Sequence, residues 1–266
     1  MSENRNLIFD KILKAKNKNF YWDKIFELRK FVDPEMINKC FSLINSKEDN
    51  FKIIGIDILS QLGSNRQKFI NSLLNKVFTI LESTENEKLI YSSLIAIGHN
   101  NNKLTQKQIK ILEKFSKSKS KEIRFALAFS LLSVENQLAI SILINLSRDR
   151  SPKVRDWAIF GLGTQIDIDN QQIREALFER CFDKDEQTKQ EAINGLAKRN
   201  DKRVNDIIFQ ELKSENFGSL LFDTIISLEN GKIFLPELER IYKKSKNDLT
   251  INKEWLEVLE FCIKQL

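Results

Sequence analysis

Glycine (8) and proline (3) are scarce in this chain of 266 residues. That leaves little turn chemistry for a β-sheet and no flexible linker. Histidine is scarcer still. His99, in GHNNNK, has no Cys/His cluster near it in sequence to complete a zinc site and no G-x-S-x-G or similar context for a nucleophile, so it reads as a solvated loop histidine. Cys40, Cys181 and Cys262 are far apart, odd in number and in no C-x-x-C spacing, which points to reduced, buried thiols in a cytoplasmic protein. The N-terminus lacks an unbroken apolar run, arguing against a signal peptide. No stretch approaches about 18 uncharged apolar residues, the length of a conventional membrane span. Neither G-x-x-x-x-G-K-[ST] nor a strand-linked G-x-G-x-x-G occurs, and Gly161-Leu-Gly163 reads as close packing at a helix end. Nothing here makes a positive case for an enzyme, a metal, a cofactor or a small-molecule substrate.

What the chain does contain is repetition. SPKVRDWAIFGLG from Ser151 and EQTKQEAINGLAK from Glu186 superpose when Val154 is set on Thr188, bringing together Arg155 with Lys189, Ala158 with Ala192, Gly161 with Gly195 and Leu162 with Leu196. A period of 34, each unit being two short helices, is the mark of an α-solenoid. Earlier second helices keep similar spacing through Leu89 and Ile123. No segment alternates with period 2, so the chain is expected to be all-α, with about six to seven antiparallel helix pairs. As a single solenoid over 1–266, it divides into atypical N-terminal helices (1–47), repeats (48–230) and a C-terminal capping pair (231–266). Local signals mark the helix starts. Asp33-Pro34 and Ser151-Pro152 place an N-cap before proline, while Thr84/Glu87 and Thr105/Gln108 have capping-box spacing.

The run from Asp149, D-x-S-P-K-V-R-D-W-A-I-F-G-L-G, and its looser echo at 183–197 resemble HEAT repeats of the phycobilisome-lyase type. Asp149, Val154, Arg155, Ala158 and Leu162-Gly163 carry the likeness. It is clear over about 120–203, plausible over 48–119 and faint at both ends. The resemblance implies a HEAT-type superhelix and a binding role, not bilin lyase activity, because the repeat occurs in unrelated proteins.

In such an array the second helices line a concave surface. With Val154 facing the core, a wheel of about 100° per residue sends Trp157, Ala158, Gly161 and Gln165 inward, and Asp156, Ile159, Phe160 and Gly163 toward the groove. Two rows follow, Tyr91–Phe125–Asp156–Gln190 and Ile95–Phe129–Phe160–Asn194, both passing from apolar to polar. The candidate partner-binding residues are therefore Tyr91, Phe125, Phe129, Arg155, Asp156, Ile159, Phe160, Gln190 and Asn194. Two readings stand: these side chains form a protein-binding strip, or the wheel is rotated by one position and the aromatics pack between second helices. Arg124, Arg155 and Lys189 recur beside the groove, placed to hold a partner's acidic groups or, as the favoured reading, to form a ladder with turn carboxylates such as Asp149 and Asp183. Residues 103–124 hold eight basic side chains against two acidic ones on a first helix, where solvation is the favoured reading.

The expected function is a non-enzymatic, cytoplasmic, bacterial scaffold that holds a partner protein in its groove, with an immunity protein neutralising a toxin domain as one concrete form. The alternative is a nucleic-acid-binding protein of the HEAT-like DNA glycosylase type, with Asp156 between Phe125 and Phe160 as its catalytic trio. Against that stands the near-neutral 148–203 segment, with twelve basic and eleven acidic residues. A pigment or cofactor chaperone rests on the resemblance alone.

Overall fold

The computed structural model describes residues 3–63, 67–214 and 217–266. The apolar periodicity of RQKFINSLLNKVFTILES predicts a helix beginning at Arg66, and Arg66 itself lies outside the described residues. Contacts cluster into two compact units, Met1–Val134 and Glu135–Leu266. Among the described residues every regular element is helical.

The first unit holds α1 (Glu3–Leu13), α2 (Lys18–Leu28), α3 (Pro34–Ile44), α4 (Asp49–Leu59), α5 (Gln67–Ser83), α6 (Glu87–Gly98), α7 (Gln106–Glu113) with a 3-10 turn (Lys114–Lys117), and α8 (Lys121–Ser130). The second holds α9 (Gln137–Leu146), α10 (Pro152–Gly163), α11 (Gln171–Arg180), α12 (Glu186–Ala197), α13 (Val204–Ser214), α14 (Leu220–Ser227), a 3-10 turn (Gly231–Phe234), α15 (Leu235–Ser245) and α16 (Lys253–Gln265). These helices follow one another in eight successive pairs, α1–α2 at the N-terminus being the pair beyond the six to seven expected. Even-numbered helices pack side by side, α2–α4–α6–α8 in the first unit and α10–α12–α14–α16 in the second, with the odd-numbered helices packed against them.

Local chemistry sets several helix starts. Asp33 accepts the Met36 N–H (2.8 Å) ahead of Pro34. Thr105 and Gln108 close the expected capping box. Thr105→Ala should cost the first unit about 1 kcal/mol in a urea titration, with Thr105→Ser recovering most of it; equal losses from both would show that the cap contributes nothing. The Thr84/Glu87 box does not form. Asn86 caps α6 instead, accepting from the Lys88 and Leu89 N–H groups, while Thr84 Oγ1 accepts from Asn86 N. Asparagine directly before the helix outcompetes a threonine two residues too early.

Apolar residues at helical spacing fill the space between layers: Leu73, Val77 and Leu81 on α5, Leu89, Leu94 and Ile97 on α6, and Ile173, Ala176 and Leu177 on α11. Each large one contributes about 1.5–3 kcal/mol on burial. Cys40, Cys181 and Cys262 are buried free thiols in this packing. α10 and α12 approach closely enough that a Cβ on Gly195 would lie 2.7 Å from the Gly163 Cα. The Gly161-Leu-Gly163 stretch is thus a packing feature, and it fixes how the second-helix face of this unit is built.

The candidate second-helix faces

In the second unit, α10 packs against α9, α11 and α12, so its buried arc is wide. Val154, Ala158, Ile159, Gly161, Leu162 and Gly163 are all buried. Ile159 was expected on the groove side, but it is a core residue with no exposure. Trp157 was expected in the core, but it is half-buried with its ring against Phe160, 5.9 Å between centroids. The open face is turned by about 60° from the sequence-based wheel, toward Trp157. The cause is the third neighbouring helix, which a wheel with one inward direction ignores.

That face carries Asp156, Trp157 and Phe160 from α10 and Thr164 just after it, with Glu191 and Asn194 from α12, all half-buried. Thr164 donates to Glu191 Oε2 (3.2 Å), and Thr224 of α14 donates to Asn194 Oδ1 (3.4 Å). Asp156 Oδ1 is buried without a hydrogen-bond partner. Burial, then the charges of Glu191 and Asp185, push the Asp156 carboxyl up to about 6. Burial also raises Glu191, partly offset by the Thr164 hydrogen bond. Two acids that resist ionisation share an aromatic-lined face. Sequence reasoning missed Glu191, although it is the 34-residue counterpart of Trp157; the wrong wheel phase hid both.

Two other expected site residues, Arg155 and Gln190, and Lys189 beside them are held inside the unit. Arg155 forms a two-pronged ion pair with Asp183 (2.6 and 2.8 Å) and donates to the Asp149 carbonyl (3.0 Å). The guanidinium holds Asp183 below the usual carboxylate range, against the opposing effect of burial. Lys189 bridges Glu186 (2.9 Å) and Glu211 (2.8 Å). Gln190 is buried and donates to Glu186 and Glu211. The Arg155–Asp183 pair joins a basic residue to a turn carboxylate as the ladder expectation has it, whereas Lys189 is held by helix carboxylates of α12 and α13.

In the first unit Tyr91, Ile95, Phe125 and Phe129 are half-buried on α6 and α8. Phe129 lies over Gly98, where a Cβ would run into the ring, and its edge meets His99 at 5.1 Å. Phe129 therefore packs between neighbouring second helices. His99 is not a solvated loop residue: it ends α6, half-buried, with Gln61 Nε2 within 2.6–2.8 Å of its ring nitrogens. Arg124 is buried and donates to the carbonyls of Ser118 (2.7 Å) and Lys119 (3.2 Å). A polar network centres on the buried Asp57. Asp57 of α4 accepts from Tyr21 Oη (2.7 Å) and Ser92 Oγ, and Arg29 donates to the Asp57 carbonyl (2.7 Å) and to Gln61 Oε1 (2.6 Å).

Residues 140–228 match the family described as HEAT repeats. Protein YibA of Escherichia coli (strain K12) is 36% identical over 135 residues, 49% of this chain and 46% of YibA. The chain thus spans about half the length of the curated relatives it matches. The X-ray structure of Escherichia coli YibA matches with a TM-score of 0.73 at 23% identity, covering 100% of this chain and 97% of that one. An engineered protein matches with a TM-score of 0.53 at 12% identity, over 98% of this chain and 77% of its own. The fold is accordingly an all-α repeat solenoid. HEAT-type stacks present extended rows of second-helix side chains, and surfaces of this kind commonly serve protein interaction. No described helix is long and apolar enough to cross a membrane.

Proposed function

We propose that this HEAT-repeat protein is a binding scaffold whose second-unit face receives a basic surface of a partner protein, with neutralisation of a toxin domain as its concrete form. The observation that carries the reading is the orphaned Asp156 carboxylate oxygen beside Glu191, Trp157 and Phe160. A lysine or arginine from a partner would relieve the repulsion between the two acids, and its aliphatic stem would lie on the rings. Enzymes that act on nucleic acids present basic surfaces to phosphate, so a toxin of that type would match such a face. The same acids disfavour phosphate at this face, which is why the glycosylase-type alternative is not adopted. In the first unit, Tyr91 and Phe125 are half-buried on that unit's own second helices.

The test is a tagged capture from the native host at two salt concentrations with nuclease present, using the wild type and an Asp156→Lys/Phe160→Ser double variant. A stoichiometric protein retained by the wild type and weakened at least 100-fold in the variant is expected, a loss on the order of 3 kcal/mol. Expressed alone, that partner should arrest growth, and co-expression of the wild type but not the variant should restore it. A captured partner that binds both forms equally would remove the face from the reading; a harmless partner would remove the toxin.

A further inference from the structure

The net charge of +6 is unevenly divided. Residues 1–134 hold 23 basic and 14 acidic residues, a net +9, whereas residues 135–266 hold 20 and 23, a net −3. Much of the first unit's excess lies on one element. Lys107, Lys110, Lys114 and Lys117 fall at i, i+3, i+7 and i+10 along α7 and its 3-10 turn, all exposed. That spacing aligns them on one stripe roughly 15 Å long, opposite the buried Ile109, Leu112 and Phe115. Lys103, Lys119 and Lys121 are exposed beside it. Lys110 reaches Glu113, and Lys114 donates to the Leu81 carbonyl. Arg124, buried beneath, fastens the 118–119 turn that carries the last lysines.

The surroundings of the stripe select its partner. The exposed residues from 102 to 122 are Asn, Lys, Thr, Gln and Glu, and the apolar Leu104 and Ile111 are half-buried. A protein interface would need an aromatic or aliphatic anchor, and a membrane surface an inserting side chain. Single-stranded nucleic acid would need exposed rings for stacking, and Phe115 is buried. Lysines interleaved with Thr105, Gln106, Gln108, Ser116, Ser118 and Ser120 are the side chains that contact phosphate backbones. We infer that the lysine stripe of α7 is a sequence-independent docking surface for the phosphate backbone of double-stranded nucleic acid. It uses residues separate from the acidic face of the second unit and stands or falls without it.

The experiment is fluorescence anisotropy of a labelled 20-bp DNA duplex of mixed sequence, titrated with the full chain from 50 to 200 mM salt. The probes compared are a single strand of the same length, polyglutamate and phosphatidylserine vesicles. The duplex should bind most tightly, with log K falling linearly against log salt. Lys107→Gln/Lys110→Gln/Lys114→Gln/Lys117→Gln should weaken it at least ~10-fold at 50 mM and reduce the slope by about 3–4. The single variants Lys107→Gln and Lys117→Gln should each reduce the slope by about 1, which keeps the test decisive if the quadruple variant folds poorly by circular dichroism. Asp156→Asn/Glu191→Gln should leave duplex binding unchanged. An unchanged slope in the lysine variants overturns the inference. So does tighter binding of the single strand, or of polyglutamate or vesicles, the last two pointing to an acidic protein or a membrane instead.

Discussion

Replacing Arg199 by alanine should destabilise the 135–266 unit by about 3–5 kcal/mol. The side chain is buried just beyond α12, and its guanidinium donates to five backbone carbonyls. Nη1 reaches Gly163 (2.9 Å) and Gly195 (3.0 Å), and Nη2 reaches Leu162 (2.7 Å), Ile166 (3.2 Å) and Ile168 (3.2 Å). Four of these carbonyls belong to the last turn of α10 and the segment after it, where a helix leaves acceptors unsatisfied. The same fork ties α10 to α12 at the Gly163–Gly195 approach. Burial lowers the arginine's pKa, with Asp169 at 3.8 Å opposing that effect, so the charge is retained at a desolvation cost that the five acceptors offset. Arg199→Lys supplies a point charge without the planar fork and should recover less than half of the loss. Urea unfolding of both variants measures this. A shift below about 1 kcal/mol for the alanine variant would mean that water satisfies the carbonyls equally well.

The second large effect is a pH dependence centred on Asp57. Burial pushes its carboxyl up to about 6, although hydrogen bonds from Ser92 and Tyr21 and the charge of Arg29 pull the other way. An unfolded aspartate titrates near 3.9. Between these values the folded protein holds a proton that the unfolded chain has released. The stabilisation is therefore complete below about pH 4 and is lost as pH rises toward 6, a change of about 3 kcal/mol. Asp33, Asp169, Asp183 and Asp201 have depressed values and act oppositely, losing stability as pH falls through their folded-state values, below the ordinary carboxylate range. The two windows are separate. Asp57→Asn should remove most of the decline between pH 4 and 6 and leave the acid limb intact, read as melting temperature across that range. A variant with the wild-type slope would show that Asp57 stays ionised throughout. The Asp156 carboxyl contributes a smaller decline of the same sign, reduced by its exposure.

The residues involved in these two effects could not have been singled out from the sequence. Arg199 reads there as an ordinary basic residue after a helix, and Asp57 as a polar interruption in KIIGIDILSQ. Both act largely through groups 28 to 37 residues away, and no local pattern encodes those contacts. Glu191 had a legible clue in its 34-residue offset from Trp157, but the clue was usable only once α10's phase was known.

Helix content, the repeat, the Thr105 box and the Asp33-Pro34 start were determined by the sequence alone, because each depends on neighbours within a few residues or on a recurring pattern. The charge excess at 103–124 was legible in the same way; its arrangement as a stripe opposite a buried apolar edge required the actual ends of α7. The tertiary structure alone decided which side of α10 is open. A helix covered by three others buries more than half its circumference, so small differences in neighbour position move Ile159 into the core and Trp157 out of it. The candidate face depends on that rotation, because what a side chain meets is set by the helices packed around it rather than by its own periodicity.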